Sequence, residues 1–323
     1  MPLKELLLES YPDDDSSEGG FMDQEKSTNE SEISAWEAWK IAIRPHTLPA
    51  AVAPVIVGWG IAYSQGGFLL LPALAALLCA LLLQITSNLV NDVMDFKKGA
   101  DTSQRQGFQR VTQSGLLTPR QMWTGISLVI ALTALAGSYL IWLRGLYALL
   151  IGVLALLFAV LYTAGPFSLA YHGLGDIFVM LFFGFAGLCG TVYVILGWVP
   201  PVSWVLAFNM GALITAILVV NNVRDVNSDR AAGRRNIPVV FGLSAAYWEF
   251  RLLLGLAYLT LIPTAILTRM PFILLPLATI PLAIRLNRNL VSLNGTALNP
   301  VLGRTAQLAL FYAILAAVGF LLS

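Results

Sequence analysis

The chain has 323 residues, of which 57% are hydrophobic and only 11% are charged, and its mean hydropathy is +0.75. Soluble globular domains carry about 25% charged residues, so this composition excludes an ordinary soluble protein. The formal net charge of +1 does not indicate a nucleic-acid partner. The protein is therefore expected to be embedded in a lipid bilayer.

Residues 1–34 differ in composition from the rest of the chain. They contain ten acidic residues and two lysines, together with six Ser, two Gly and one Asn. Such a segment cannot bury enough apolar surface to fold, so we predict an acidic, disordered cytoplasmic tail followed by a transmembrane domain over residues 35–323. The segment lacks the cationic stretch and apolar run of a signal peptide. Trp36 and Trp39, which follow it, favour a short amphipathic helix at the lipid–water interface.

About nine apolar runs follow, each close to the roughly 20 residues that a helix needs to cross the hydrocarbon core. In chain order they cover residues 45–64, 69–91, 121–141, 145–163, 174–196, 203–221, 247–268, 271–289 and 304–322. The alternating pattern of membrane-spanning strands is absent, so a closed barrel is not expected. The sequence therefore predicts an all-α, polytopic membrane protein with about nine transmembrane helices.

The distribution of basic residues predicts the orientation of these helices. An odd number of spans places the two termini on opposite sides of the membrane. With the N-terminus inside, Arg144 and Arg269 fall in outer segments, and the other 17 of the 19 Lys and Arg residues lie in inner segments or towards the inner ends of spans, as Arg251, Arg285, Arg288 and Arg304 do. By the positive-inside rule, the N-terminus is expected to be cytoplasmic. We therefore predict a multi-pass protein of the cell (inner or plasma) membrane, with its polar segments at 91–102 and 221–229 facing the cytoplasm.

Outside the tail the chain has only eight acidic residues, and five of them fall in two short segments that end apolar runs. Within each segment, Asn and Asp residues recur four positions apart, a spacing that places them on one face of a helix. Two such rows of carboxylate and amide oxygens could hold one or two Mg²⁺ ions. The predicted metal ligands are Asn91, Asp92, Asp95, Asn221, Asp225 and Asp229. The alternative is that these residues cap helices or solvate loops.

Basic residues follow each acidic segment, as the binding of a diphosphate bridged by Mg²⁺ would require. Guanidinium groups suit bidentate contacts with phosphate oxygens. From this pattern, the predicted diphosphate-binding residues are Lys97, Arg110, Arg234 and Arg235. The alternative is that they are simply the basic residues that inner loops of any membrane protein carry.

The pattern Asn91-Asp92-x-x-Asp95, together with Asp225-x-x-x-Asp229, resembles the paired Asp-rich motifs of the UbiA family of intramembrane prenyltransferases. The wider sequence is similar to the family's 1,4-dihydroxy-2-naphthoate polyprenyltransferase (MenA-type) branch, over about residues 36–322. The further matching segments are 42–50, 99–102, 110–115, 162–166, 171–176 and 221–225. Many family members have an Asp where this chain has Gly99, and here Asp101 lies two residues further on.

The resemblance implies nine transmembrane helices around a central cavity. It also implies Mg²⁺-dependent transfer of a polyprenyl chain from polyprenyl diphosphate to 1,4-dihydroxy-2-naphthoate, with loss of carbon dioxide, to give demethylmenaquinone in menaquinone biosynthesis. Asp95 and Asp225 would then be catalytic through the metal. Tyr162 would stabilise an allylic cation through its π face, or merely pack. Arg44 would lie at the acceptor end, where its guanidinium matches a carboxylate, or would serve as a positively charged anchor.

Two alternatives remain open. Another aromatic acceptor, such as 4-hydroxybenzoate, homogentisate or a porphyrin, would fit the same family. A cation-coupled transporter would also place Asp residues within a membrane protein, although acidic segments at helix ends favour the enzyme. The expected partners are the two substrates and the lipid bilayer, with no obligate protein partner.

Overall fold

The computed structural model describes residues 33–99, 107–164 and 169–323. The predicted acidic tail, except for its last two residues, and Asp101 lie outside these ranges. Within them, every regular element is a helix. Numbered in chain order, the helices are α1 (Ala35–Ile43), α2 (Leu48–Ser64), α3 (Leu70–Lys97), α4 (Pro119–Arg144), α5 (Leu146–Leu161), α6 (Gly175–Leu196), α7 (Pro201–Arg224), α8 (Val226–Ala231), α9 (Ile237–Val240), α10 (Leu243–Thr268), α11 (Ile280–Ser292) and α12 (Asn299–Leu322).

In the described ranges, seven helical segments, of which α1 and α2 form one, are long and apolar enough to cross a membrane. The apolar helix α5 is shorter. The span predicted at 271–289 is divided between a 3₁₀ stretch, Pro271–Thr279, and α11. Pro276 and Pro281 lie at this division, and proline cannot donate the backbone hydrogen bond that a continuous α-helix requires. The all-helical, multi-pass membrane class is thus confirmed, whereas nine spans and the orientation stay predictions.

The helix ends around the acidic segments follow from the local sequence. α3 ends at Lys97, and Gly99 follows with a φ of 64°, a left-handed conformation that glycine adopts without strain. α7 ends at Arg224, and Asp225, with φ of −96° and ψ of 9°, separates it from α8. Both acidic segments therefore lie where helices end, next to loops that carry basic residues.

The largest buried core forms between α2, α6, α7, α10 and α12. Small residues allow these helices to approach closely. A Cβ at Gly184 of α6 would lie 2.9 Å from the Cα of Gly211 in α7, and a Cβ at Gly60 of α2 would lie 2.7 Å from the Cα of Ala317 in α12. Close packing through small residues is typical of membrane helices, which lack a hydrophobic force between them. This packing holds α2 close to α12, and α6 close to α7.

α6 contains a π-helical stretch, Met180–Cys189, between two α-helical parts. π-helical geometry is rare and often occurs at functional sites. Phe178 and Phe182 of this helix lie beside Phe158 of α5, with ring centroids 5.1 and 4.4 Å from that ring. This aromatic group of α5 and α6 forms part of the wall of an apolar cavity.

Candidate active site

A polar cavity of about 210 Å³ lies where the two acidic segments meet. It is lined by residues from α3, α7 and α8, from the Arg110 loop (residues 107–118) and from the loop before α9. Nine of the residues predicted from the sequence reach its wall: Arg44, Asn91, Asp95, Arg110, Tyr162, Asn221, Asp229, Arg234 and Arg235. The other three, Asp92, Lys97 and Asp225, lie outside it.

Asp95 is at the centre of the ion pairs in this cavity. Arg110 Nη2 donates to Asp95 Oδ2 at 2.8 Å, and Arg234 Nη2 donates to Asp95 Oδ1 at 2.7 Å. Arg234 also reaches Asp229, with 3.4 Å between Nη1 and Oδ1. Both carboxylates are buried. One guanidinium therefore bridges two acidic segments that are far apart in the sequence.

The surroundings of Arg234 favour its charged form. Burial alone would lower the pKa of its guanidinium, but the carboxylates of Asp95 and Asp229 raise that pKa above its usual value. The centroid of the Tyr171 ring lies 4.8 Å from Arg234 Cζ and adds a cation–π contact. Arg234 Nε is buried and finds no acceptor among the described residues. Because a buried donor without an acceptor is unfavourable, this wall of the cavity is suited to an anionic ligand.

Tyr171, which was not predicted as a site residue, contacts two cations. Lys98 Nζ is 4.3 Å from the centroid of its ring, on which Arg234 also lies. Lys98 donates to the Thr163 carbonyl at 2.7 Å, and the Thr163 hydroxyl donates to Asn91 Oδ1. These contacts connect the end of α3 to the segment after α5. A sequence pattern gives no signal for such a contact, because the two segments meet only in the fold.

Asn236 also supports the site without having been predicted. Its Nδ2 donates to Asp229 Oδ2 at 2.7 Å, while its Oδ1 accepts the Val239 N–H at 3.1 Å as the N-cap of α9. An Asn followed by Ile237 and Pro238 is a recognisable helix start. The cap could therefore be predicted from the sequence, whereas the contact with Asp229 could not.

Asp225 lies at the break between α7 and α8. Its N–H donates to the Asn221 carbonyl at 3.0 Å, and its carbonyl accepts the Asp229 N–H at 2.8 Å. Both hydrogen bonds join residues four positions apart, as in an α-helix. Its carboxylate is bound by the neighbouring Arg224, with Nε to Oδ1 at 2.8 Å and Nη2 to Oδ2 at 2.5 Å. Arg224 Nη2 also donates to Asn221 Oδ1 at 2.7 Å. Asp225 therefore lies beside the cavity rather than on its wall.

Asp92 and Lys97 are the other two residues outside the cavity. The Asp92 carboxylate accepts the backbone N–H groups of Val111 and Thr112. Lys97 Nζ lies 5.1 Å from the centroid of the Trp123 ring. Consecutive residues on a helix point in directions about 100° apart. Asp92 is therefore turned away from Asn91, which lines the cavity, and Lys97 from Lys98, which contacts Tyr171.

Arg44 lies between α1 and the 3₁₀ turn Pro45–Thr47, with φ of 55° and ψ of 69°. Non-glycine residues rarely adopt this left-handed conformation, and such strain is concentrated at functional sites. Pro45 disfavours a right-handed helical conformation at Arg44, so α1 ends here. Arg44 lines the polar cavity, and its Nη2 is 3.7 Å from Asp92 Oδ2.

An apolar cavity of about 250 Å³ adjoins the polar one. The residues that line both are Gln84, Asn91, Tyr162, Val179 and Phe183. The rest of its wall is mostly apolar and includes the aromatic group of α5 and α6. Two joined cavities, one charged and one apolar, fit an amphiphile with an anionic head and a hydrocarbon chain.

The oxygen atoms at the polar cavity fit a hard divalent cation. Asn91, Asp95, Asn221 and Asp229 offer carboxylate and amide oxygens, the kind of ligand that Mg²⁺ prefers. In the described part of the chain, no three His, Cys, Asp or Glu side chains form a group that could hold a metal. A cation here would therefore also use Asn oxygens and oxygens of a bound ligand, as Mg²⁺ sites with phosphates commonly do.

The helical bundle defines a multi-pass membrane protein in which a charged cavity adjoins an apolar one. A family model described as the UbiA prenyltransferase family matches residues 51–297. The chain belongs to this family, which confirms the resemblance seen in its motifs. Membership also favours an enzyme over a cation-coupled transporter.

Relatives that match over most of the chain are named as enzymes. The chain is 36% identical over 306 residues to the 1,4-dihydroxy-2-naphthoate octaprenyltransferase of Escherichia coli (strain K12), covering 91% of this chain and 98% of that protein. It is 33% identical over 311 residues to the protein of that name from Haemophilus influenzae, covering 93% and 100%. A solved UbiA homolog from Archaeoglobus fulgidus, bound to GPP and Mg²⁺, matches with a TM-score of 0.63 and 18% identity, over 87% of this chain and 99% of that chain.

Proposed function

We propose that the protein catalyses Mg²⁺-dependent transfer of a polyprenyl chain from polyprenyl diphosphate to 1,4-dihydroxy-2-naphthoate, with loss of carbon dioxide. The product would be the quinol form of demethylmenaquinone, an intermediate of menaquinone biosynthesis. The observation that carries the proposal is the bridge from Asp95 through Arg234 to Asp229, next to an apolar cavity. The names of the relatives from Escherichia coli and Haemophilus influenzae support this acceptor.

In this proposal, Arg110, Arg234 and Arg235 bind the diphosphate. The first two already meet at Asp95, and Arg235 lines the same cavity, while its N–H donates to the Tyr171 carbonyl at 3.2 Å. Guanidinium groups can contact two phosphate oxygens at once. The residues proposed to hold Mg²⁺ are Asn91, Asp95, Asn221 and Asp229, with Asp225 beside them; Asp92 and Lys97 are left out because they lie outside the cavity.

The apolar cavity would hold the first part of the polyprenyl chain. When bound, Mg²⁺ supplies positive charge that stabilises the leaving diphosphate. The allylic C–O bond breaks with its electron pair going to the diphosphate. The ring carbon that bears the carboxylate forms the new C–C bond, and the carboxylate leaves as carbon dioxide, which returns its electron pair to the ring. Tyr162, at the junction of the cavities, would stabilise the developing cation through its π face. The apolar walls exclude water, which would otherwise capture that cation.

Arg44 is proposed to bind the carboxylate of the acceptor. It lines the polar cavity, and its strained backbone conformation is consistent with a functional position. By the positive-inside rule, this end of the bundle is proposed to face the cytoplasm in a cell membrane. Both substrates would then enter from the cytoplasmic side, the polyprenyl chain through the lipid.

The proposed reaction is tested by the mass of its product. Membranes that contain the protein are supplied with 1,4-dihydroxy-2-naphthoate, Mg²⁺ and prenyl diphosphates of several lengths, and lipid extracts are analysed by mass spectrometry. We expect a prenylated naphthoquinol that lacks the carboxylate, and no product with 4-hydroxybenzoate, homogentisate or a porphyrin. Product with one of these acceptors, and none with the naphthoate, would contradict the proposed acceptor and retain the prenyl transfer.

Arg44→Lys tests the acceptor site, because Lys keeps the charge but cannot form the two parallel hydrogen bonds of an Arg. We expect the KM for the naphthoate to rise about tenfold or more, and the KM for prenyl diphosphate to change by less than about twofold. The matched control is Arg120→Lys, at an exposed position outside both cavities, which should leave both constants unchanged. Unchanged kinetics in Arg44→Lys would show that the residue is only a positively charged anchor.

A further inference from the structure

Asp92 lies on α3 close to Asp95, but its carboxylate binds the backbone of the Arg110 loop. Asp92 Oδ1 accepts the Thr112 N–H at 3.0 Å, and Oδ2 accepts the Val111 N–H at 3.3 Å. Arg44 Nη2 is 3.7 Å from Oδ2 on another side. Asp92 is only 1% exposed. A buried charge is tolerated when it is paired and hydrogen-bonded, and these contacts meet that condition for Asp92.

The part of the loop that Asp92 binds is a single turn, in which the Ser114 N–H donates to the Arg110 carbonyl at 3.0 Å with the spacing of an α-helix. A wider hydrogen bond, from the Leu117 N–H to the Val111 carbonyl at 3.3 Å, closes the loop behind it. The first N–H groups of a helical turn have no acceptor within the turn. Asp92 accepts two of them, as an N-cap side chain would, although it comes from a different part of the chain. The turn is therefore held against α3 by this carboxylate.

Two carboxylates of α3 thus hold the same loop at two points. Asp92 binds the backbone directly after Arg110, while Asp95 binds the Arg110 side chain at 2.8 Å. Val111 and Thr112 are buried and directly follow Arg110. Movement of their backbone would therefore displace the Arg110 guanidinium. The geometry assigns to Asp92 the role of a positioning residue that docks the Arg110 loop and so keeps the Arg110 guanidinium in the polar cavity.

The first test measures docking without using catalysis. Purified protein is treated with trypsin under limiting conditions, and cleavage after Arg110 is followed by mass spectrometry. Arg110 is buried, so we expect slow cleavage in the wild type and cleavage faster by about tenfold or more in Asp92→Asn, because the amide group of Asn cannot accept both N–H groups. Cleavage after the exposed Arg230 provides an internal reference that should not change. An unchanged rate after Arg110 would overturn the proposal.

The second test is kinetic, and it rests on the proposed function. Asp92→Asn is expected to raise the KM for prenyl diphosphate about tenfold, while the Mg²⁺ concentration for half-maximal activity stays the same. In an Arg110→Gln background the same substitution should have little further effect, because both changes act through the same group, the Arg110 guanidinium. A raised Mg²⁺ requirement, or effects that simply multiply, would overturn the positioning role. The control is Glu37→Gln, which removes an exposed carboxylate that lines neither cavity.

A measurement on the unsubstituted protein covers the case in which Asp92→Asn does not fold. Amide hydrogen exchange of a peptide covering residues 108–115 should be slow, since the Val111 and Thr112 N–H groups are both hydrogen-bonded and buried. Exchange as fast as that of an unstructured peptide would overturn the proposal. Because exchange and proteolysis need no substrate, failure of the docking and failure of the proposed reaction can be distinguished.

Discussion

Asp95→Asn is expected to reduce turnover by about three orders of magnitude while the protein remains inserted in the membrane. Asp95 is the carboxylate that Arg110 and Arg234 share, and it is also proposed to bind Mg²⁺. Asn keeps the shape of the side chain but removes the charge that both partners need. Product formation is measured in membranes that contain equal amounts of wild-type and variant protein.

The control for this substitution is Glu37→Gln, which also removes one negative charge. Glu37 is exposed and forms hydrogen bonds with Ser34, as part of the capping box at the start of α1. We expect Glu37→Gln to retain normal activity. If Asp95→Asn keeps activity within about tenfold of the wild type, Asp95 does not have a catalytic role.

Removal of divalent cations is expected to stop the reaction completely, and added Mg²⁺ should restore it. The oxygens of Asn91, Asp95, Asn221 and Asp229 suit a hard ion, and in the proposed reaction the leaving diphosphate carries several negative charges. The measurement is product formation in excess chelator, followed by titration with Mg²⁺. Chelator saturated with Ca²⁺ before addition, followed by Mg²⁺, controls for effects on the lipid. Full activity in excess free chelator would contradict the proposed mechanism.

Much of the fold follows from composition and periodicity. Long apolar runs predict membrane helices, and the positions of the acidic segments predict that polar groups gather where α3 and α7 end. The spacing of four between Asn91 and Asp95 places both on one face of α3, and the structure brings both to the wall of the polar cavity. These features are local, so the sequence alone is sufficient to predict them.

The individual partners of the charged residues could not be predicted, because they depend on contacts between distant segments. Asp92 and Asp95 look equivalent in the sequence, yet one binds the backbone of the Arg110 loop and the other binds two guanidinium groups. Asp225 is bound by its own neighbour Arg224, a pairing that depends on the break between α7 and α8. No pattern of residue types distinguishes these cases.

If the site binds Mg²⁺ and diphosphate as proposed, the guanidinium between Asp95 and Asp229 makes that binding an exchange rather than an addition. Without a ligand, Arg234 is the counter-ion of the two carboxylates. Mg²⁺ at the same oxygens would compete with this cation, and the displaced guanidinium would become available to the phosphate oxygens. The measured affinity for the metal would then be the difference between two competing interactions. Metal and diphosphate would favour one another's binding, because the metal frees the guanidinium that binds the diphosphate.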